Sequence, residues 1–190
     1  MVKLSLKLLH IGVTGTPGSG KSYFARTFAK KLNAKLIEIN DVAAKENLFI
    51  GKDIDGTRIV DIPRLKMVLG NIMKKHNRII LVGHLLTELN LKLDYVVVIR
   101  IKLDVLKQRL TKRGYHIDKI RDNIIIEAMD YYTTSLLEQK VKVVEVETKT
   151  DSIRFIKDAK RGSVEFTQLD KIGDLQEFFL FIEKNKGMGF

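Results

Sequence analysis

The 190-residue chain contains no cysteine and no tryptophan, and only two prolines, Pro17 and Pro63. Without cysteine there is no disulfide framework and no thiolate metal site, which suits a reducing compartment. Two prolines outside any proline-rich run leave no extended linker, so the length reads as one domain with at most a small appendage. No apolar stretch approaches the roughly 18 residues that a membrane helix needs. Met1–His10 lacks the apolar core and small-residue cleavage site of a secretory signal, so the expectation is a cytoplasmic protein with no membrane contact. Acid is also in short supply: 34 basic residues face 23 acidic ones, a net charge of +11. Residues 151–190 hold seven of each sign, so the whole excess lies in residues 1–150 and a polyanionic partner is expected.

Against these absences stands an alternation of short apolar runs and amphipathic stretches. Leu8–Val13 is apolar and ends at Thr14-Gly15, a buried strand meeting a loop. A helix follows from Ser22, with Phe24, Phe28 and Leu32 on one stripe. Leu36–Ile39 reads as a strand, residues 40–60 as a mobile, partly helical insertion, and Pro63 as the opening of a helix with Leu65, Val68, Leu69 and Ile72 inward. Ile79–Val82 and Tyr95–Ile99 are continuously apolar, as strands covered on both faces are. Helices are expected over about Leu103–Lys112 and Asp118–Gln139, with a fifth strand at Val141–Val146. Further helices are expected from about Ser152 and around Asp174–Lys184, forming a C-terminal extension over 151–190 packed on the same domain. Strands alternating with helices at these spacings predict a doubly covered parallel α/β sheet.

Gly15-Thr16-Pro17-Gly18-Ser19-Gly20-Lys21-Ser22 matches the phosphate-binding pattern G-x-x-x-x-G-K-[ST] without a mismatch. Gly15, Gly18 and Gly20 let the backbone curl so that successive amides point into one concavity. The helix that opens at Ser22 adds its N-terminal amides and dipole. Lys21 reaches phosphate as a point charge, and the Ser22 hydroxyl can ligate Mg²⁺. A second cluster is Arg109 and Arg113, four apart near a helix C-terminus, inside a stretch 102–121 with seven basic and two acidic residues. Two readings fit them: cations favoured by the helix dipole, or guanidiniums that meet a transferring phosphoryl group as a lid closes. A third is Gly83-His84, at the carboxyl end of a strand, where α/β proteins bind ligands. His84 either faces the phosphates or is a polar loop residue. Phosphate-loop proteins commonly carry an acid at the end of this strand to hold Mg²⁺ through water. Here the strand reads Ile-Ile-Leu-Val.

Taken together, these pieces resemble the adenylate kinase isoenzyme 6 family, which includes small-subunit ribosome assembly ATPases. The resemblance runs over residues 8–146 and also takes in Asn40-Asp41, Asp53 and Asp55, Arg113-Gly114-Tyr115, Asp122-Asn123 and Glu127-Ala128. It implies a P-loop kinase fold with a five-stranded parallel sheet and helices on both faces. It implies a domain over 1–150 with a monophosphate-binding insertion at about 40–60 and a short lid at about 112–122. By position, Gly15, Gly18, Ser19, Gly20, Lys21, Ser22 and Tyr23 would hold ATP, Ser22 the Mg²⁺, and Arg113 the nucleotide at the lid; Lys21, His84, Arg109 and Arg113 would carry catalysis. Relatives commonly have Thr at Tyr23 and Asp at Val82. The implied activity is phosphoryl transfer from ATP to AMP with accompanying ATPase activity. The implied partners are a small-subunit ribosomal protein and pre-rRNA; because the rest of residues 1–150 is strongly basic, the local acids Asp41, Glu46, Asp53, Asp55 and Asp61 are expected to form the docking patch for a basic tail. A kinase of another small metabolite, with no ribosomal role, fits the loop equally well.

Overall fold

The computed structural model describes residues 8–53 and 56–147. Five strands form one parallel sheet: β1 (Leu9–Thr14), β2 (Lys35–Glu38), β5 (Arg78–Val82), β6 (Tyr95–Ile99) and β7 (Val143–Val146). Their order in the sheet is β2-β5-β1-β6-β7, so β1, which feeds the phosphate loop, lies in the centre. The expected parallel α/β sheet is thus present. Alternation along the strands divides the core in two. Ile80, Val82, Val97 and Ile99 pack with Phe24 and Phe28 of α1 (Lys21–Leu32) on one face. Ile79, Leu81, Val96 and Val98 pack on the other face with Leu65 and Leu69 of α3 (Ile62–Lys74) and Leu136 of α7 (Tyr131–Glu138). Period-two alternation with apolar residues on both sides explains the continuously apolar β5 and β6. A third cluster joins Leu106 and Leu110 of α5 (Leu103–Lys112) to Ile120 and Ile124 of α6 (Ile117–Ala128).

The structure corrects several expectations. The second strand ends at Glu38, and Ile39 opens α2 (Ile39–Lys45). The partly helical character expected of residues 40–60 is present in α2, but the segment also holds two strands that were not expected. α2 leads into an antiparallel hairpin of β3 (Phe49–Lys52) and β4 (Arg58–Val60). Strands of three and four residues carry too little periodicity to read from sequence. A short helix, α4 (Leu86–Leu89), follows β5. The single helix expected over Asp118–Gln139 is two, α6 and α7, broken where Asp130 adopts φ 53°. Asp is among the few residues that tolerate the left-handed conformation, and here its carboxylate also pairs with the Arg100 guanidinium. Pro63 lies in the first turn of α3, capped by Asp61, whose Oδ1 accepts from the Arg64 amide at 3.0 Å. The helices expected after Ser152 and at Asp174–Lys184, and Asp55, lie outside the described residues.

Candidate functional site

The loop between β1 and α1 closes against the neighbouring strand. Gly15 has φ 137°, and a Cβ there would stand 2.5 Å from the Ile99 carbonyl oxygen, so no other residue fits without moving β6. Gly18 and Gly20 also have positive φ, and Gly20 is the N-cap of α1 with no side-chain cap. No acid occupies the first turn of α1. The amides and dipole at this end therefore remain available to an anion.

The loop is held from two directions. Arg109 of α5 donates through Nη1 to the carbonyl of Gly18 at 2.9 Å and of Ser19 at 3.4 Å. Thr16, fully buried, donates its hydroxyl to Glu127 Oε2 at 2.5 Å. Glu127, 3% exposed, accepts from Arg100 Nε at 2.9 Å and from the Ile101 amide at 3.3 Å. Arg100, 2% exposed, also meets Glu145, Asp130 and the Glu127 carbonyl. Burial opposes charge on Arg100, but the carboxylates of Glu127, Glu145 and Asp130 outweigh it and hold the guanidinium protonated more firmly than usual. Arg100 and Glu127 form a structural support that the sequence reading missed. A signal was present: a lone base ends Val-Val-Val-Ile, and a lone acid interrupts Ile-Ile-Ile-Glu-Ala-Met. Isolated charges in apolar runs are buried only with partners.

Lys21, the first residue of α1, places Nζ 3.5 Å from the Thr16 carbonyl. Burial, and then the Arg113 guanidinium, push its pKa down to about 8. Arg113 is the C-cap of α5 and is followed by Gly114 at φ 73°, so the corner between α5 and α6 carries it toward Lys21. His84 follows Gly83 at the end of β5, where a Cβ would stand 2.9 Å from Ile39 Cβ; glycine lets α2 approach the strand end. Burial first, and the Lys21 charge second, lower the His84 pKa and keep its ring neutral near pH 7. Tyr23 offers only its backbone to the loop, since its side chain is 77% exposed.

His84 also lines a cleft of about 530 Å³, with Asn40 of α2, Phe49, Asp53 and Arg58 of the hairpin region, and Glu88 of α4. The Arg58 guanidinium stacks 4.5 Å from the Phe49 ring centroid. Across the cleft mouth, Lys119 Nζ of α6 donates to Thr57 Oγ1 at 3.3 Å, so the start of α6 reaches the hairpin region. The structure thus gathers Lys21, Ser22, His84, Arg109 and Arg113 around one loop, with the 40–60 insertion forming the far wall of an adjoining cleft.

The residues beside the loop suit a divalent cation bound together with phosphate. Ser22 Oγ is 3.5 Å from Glu38 Oε2, and Glu38 Oε1 is sealed from water without a hydrogen-bond partner. Hard oxygen donors of this kind suit Mg²⁺, which keeps several waters and takes few protein ligands. Among the described residues no group of three or more His, Asp or Glu side chains could hold a metal by themselves. No helix among the described residues is long and apolar enough to cross a membrane.

A central β1, the loop that follows it and the order β2-β5-β1-β6-β7 define a P-loop kinase fold. Solved structures agree on the fold. Shikimate kinase from Bacteroides thetaiotaomicron matches with a TM-score of 0.52 and 19% identity, over 80% of this chain and 96% of that one. TT1252 from Thermus thermophilus matches with a TM-score of 0.53 and 16% identity, over 82% and 97%. The family described as an AAA domain matches residues 11–130. The protein named "Putative adenylate kinase" of Methanocaldococcus jannaschii is 35% identical over 151 residues, 79% of this chain and 82% of that one. Its namesake in Methanosarcina barkeri is 35% identical over 148 residues, 75% and 79% of the two chains. The chain belongs to this AAA-domain family of P-loop proteins and is similar over most of its length to these archaeal proteins.

Proposed function

We propose that the chain is a nucleoside monophosphate kinase of the adenylate kinase isoenzyme 6 type, which transfers the γ-phosphoryl group of ATP to AMP in the cytoplasm. One observation carries the reading. His84, a wall residue of the acceptor cleft, follows Gly83, whose amide donates to the Val13 carbonyl at 3.1 Å just before the phosphate loop begins. Donor and acceptor sites therefore share a boundary, as in-line transfer demands. The cleft volume of about 530 Å³ falls within the range of about 300–1,000 Å³ usual for small-molecule sites. The names of the archaeal relatives favour AMP as the acceptor.

In this mechanism the loop amides from Gly15 to Ser22 and the first turn of α1 bind the triphosphate. Lys21 and Arg113 bring positive charge to the oxygens between which the phosphoryl group passes. Arg109 acts through the loop: its bonds to the Gly18 and Ser19 carbonyls turn those oxygens away from the phosphates and keep the amides inward. The acceptor is itself a phosphate oxygen, so no base is needed to remove a proton. Neutral His84 can orient a water for the accompanying hydrolysis without adding charge to the cleft. Ser22 would hold Mg²⁺, which supplies charge neutralisation between the phosphates. Closure of the corner at Arg113–His116 onto the hairpin, along the Lys119–Thr57 contact, excludes the water that would otherwise hydrolyse ATP.

The test is nucleotide separation after incubation with ATP and Mg²⁺, with and without AMP. ADP in excess of free phosphate supports transfer. Equal amounts identify an ATPase and refute the kinase reading. AMP-independent turnover with a hydroxylated metabolite as acceptor would favour a different kinase.

A second reading, small-subunit ribosome assembly, draws on the net charge of +11 confined to residues 1–150, which suits contact with pre-rRNA. Asp53, on the insertion, would then help dock a basic ribosomal protein. Asp61 is already engaged as the α3 cap, which weakens the acidic patch. Capture of a small-subunit ribosomal protein by the native chain, lost on Asp53→Lys, supports this reading; equal capture by the variant removes the patch from it.

A further inference from the structure

The strand that commonly supplies the metal-orienting acid ends here in Val82, 1% exposed among apolar neighbours. The sheet register places an acid directly beside it. β2 pairs with β5 in parallel, Leu36 opposite Ile80 and Glu38 opposite Val82. Laterally paired residues of a parallel sheet direct their side chains to the same face. Leu36, Ile80 and Val82 all pack against the α1 side of the sheet, so Glu38 faces α1 as well. There its Oε2 lies 3.5 Å from Ser22 Oγ, the hydroxyl of the phosphate loop. Its Oε1 is buried with no hydrogen-bond partner. The nearest cation to Oε1, Arg26 Nη2, stands 3.7 Å away on a side chain that is 70% exposed. A carboxylate oxygen sealed from water and accepting nothing carries an unmet desolvation cost. A hydrated cation held by Ser22 would meet it.

We propose that Glu38, reaching across from the neighbouring strand, is the carboxylate that orients the Mg²⁺ hydration shell at this loop, in place of the strand-end acid absent at Val82. This assignment rests on the kinase reading above. Strands in a sheet lie about 4.8 Å apart, and the extra methylene of Glu over Asp spans part of that offset. Contact through water suits the cation, which sheds its hydration reluctantly. Glu38 is a positioning residue here: it acts on the metal's waters, not on substrate.

The experiment uses the full chain and Mn²⁺ as the Mg²⁺ surrogate, with free Mn²⁺ read by electron paramagnetic resonance in the presence of saturating ADP. Fluorescent ADP binding in EDTA is measured in parallel. Glu38→Gln is isosteric, and Glu38 is 28% exposed, so the fold should persist; the thermal melt checks it. The expected result is a loss of about 10- to 100-fold in Mn²⁺ affinity of the ADP complex, the range typical for outer ligands of a metal. Metal-free ADP affinity should stay equal or tighten, since one negative charge leaves the site. Arg26→Gln separates this role from a surface ion pair: it should leave Mn²⁺ affinity within about twofold, as exposed pairs contribute little. Glu38→Asp, one methylene shorter, should retain part of the affinity. An unchanged Mn²⁺ affinity in Glu38→Gln overturns the assignment, as does an equal loss in Arg26→Gln. Loss of metal-free ADP binding in Glu38→Gln overturns it too, by revealing a structural role. A native chain that binds no ADP, with or without Mn²⁺, refutes the kinase reading itself.

Discussion

Replacing Arg100 with leucine tests whether the phosphate loop rests on a buried charge network. The guanidinium is 2% exposed and holds Glu127, 3% exposed, with Glu145 and Asp130 at 12% and 45%. Arg100→Leu fills much of the volume but removes from the buried Glu127 carboxylate its guanidinium partner, leaving the Thr16 hydroxyl and the Ile101 amide among its neutral donors. Breaking a buried pair from one side costs about 3–5 kcal/mol. Asp130, half solvated, adds little. At about 2–4 °C of Tm per kcal/mol for a domain of this size, the melting temperature should fall by about 6–20 °C. That is a large share of a total stability of about 5–15 kcal/mol. Calorimetry at pH 7 reads the shift. The double variant Arg100→Leu with Glu127→Leu removes the stranded carboxylate and should recover part of the loss, with a coupling of about 0.5–3 kcal/mol in the cycle. It should not recover nucleotide affinity, because Thr16 then has no acceptor and the loop is no longer fixed. A single variant that melts within about 3 °C of the native chain, less than about 1.5 kcal/mol, would refute the network as a support of the fold.

Three further outcomes follow from the site. Lys21→Ala should reduce phosphoryl transfer at least about a hundredfold, about 2.7 kcal/mol, with an unchanged melt; steady-state turnover checks it. Because the Lys21 pKa is lowered to about 8, the ammonium that binds phosphate is present below that pH and lost above it. ADP affinity measured from pH 6.5 to 9.5 should be level below about 8 and weaken above it by up to tenfold per unit, and Lys21→Arg should flatten the upper limb. His84→Ala should slow ATP hydrolysis more than AMP phosphorylation, on the view that the neutral ring orients an attacking water; equal losses in both rates would make it a general phosphate contact.

How much of this was legible before the structure depended on how local each feature is. The phosphate loop is eight consecutive residues whose glycines, lysine and serine act on one another through their own backbone, so its reading needed nothing else. The helix Leu103–Lys112 has the bounds expected from its own periodicity. The hairpin of β3 and β4 was missed because a three-residue strand has no period to detect. The break between α6 and α7 was missed for a different reason. Asp130 is an ordinary helix-surface acid in sequence, and what holds its carboxylate at the break is Arg100, 30 positions earlier. Thr16 and Glu127 are 111 residues apart, and neither the uncharged glycine-rich stretch around Thr16 nor the apolar run around Glu127 names the other.

The same reasoning accounts for the missing acid. Read along the chain, Val82 is a departure from a pattern, and it argues against a well-placed metal. Read across the sheet, Val82 is one member of a pair whose other member is Glu38. A parallel sheet brings the carboxyl ends of its strands to one edge, so a function required at that edge can be met from either neighbour, provided the side chain is long enough and faces the same side. Glutamate on β2 meets both conditions, whereas a residue one place earlier or later would face the opposite core. Ile37 packs on the far side with Leu81, and Ile39 has already turned into α2. The register therefore leaves Glu38 as the one position of β2 from which a carboxylate can reach Ser22, and substitution at Val82 is tolerable only while Glu38 is acidic.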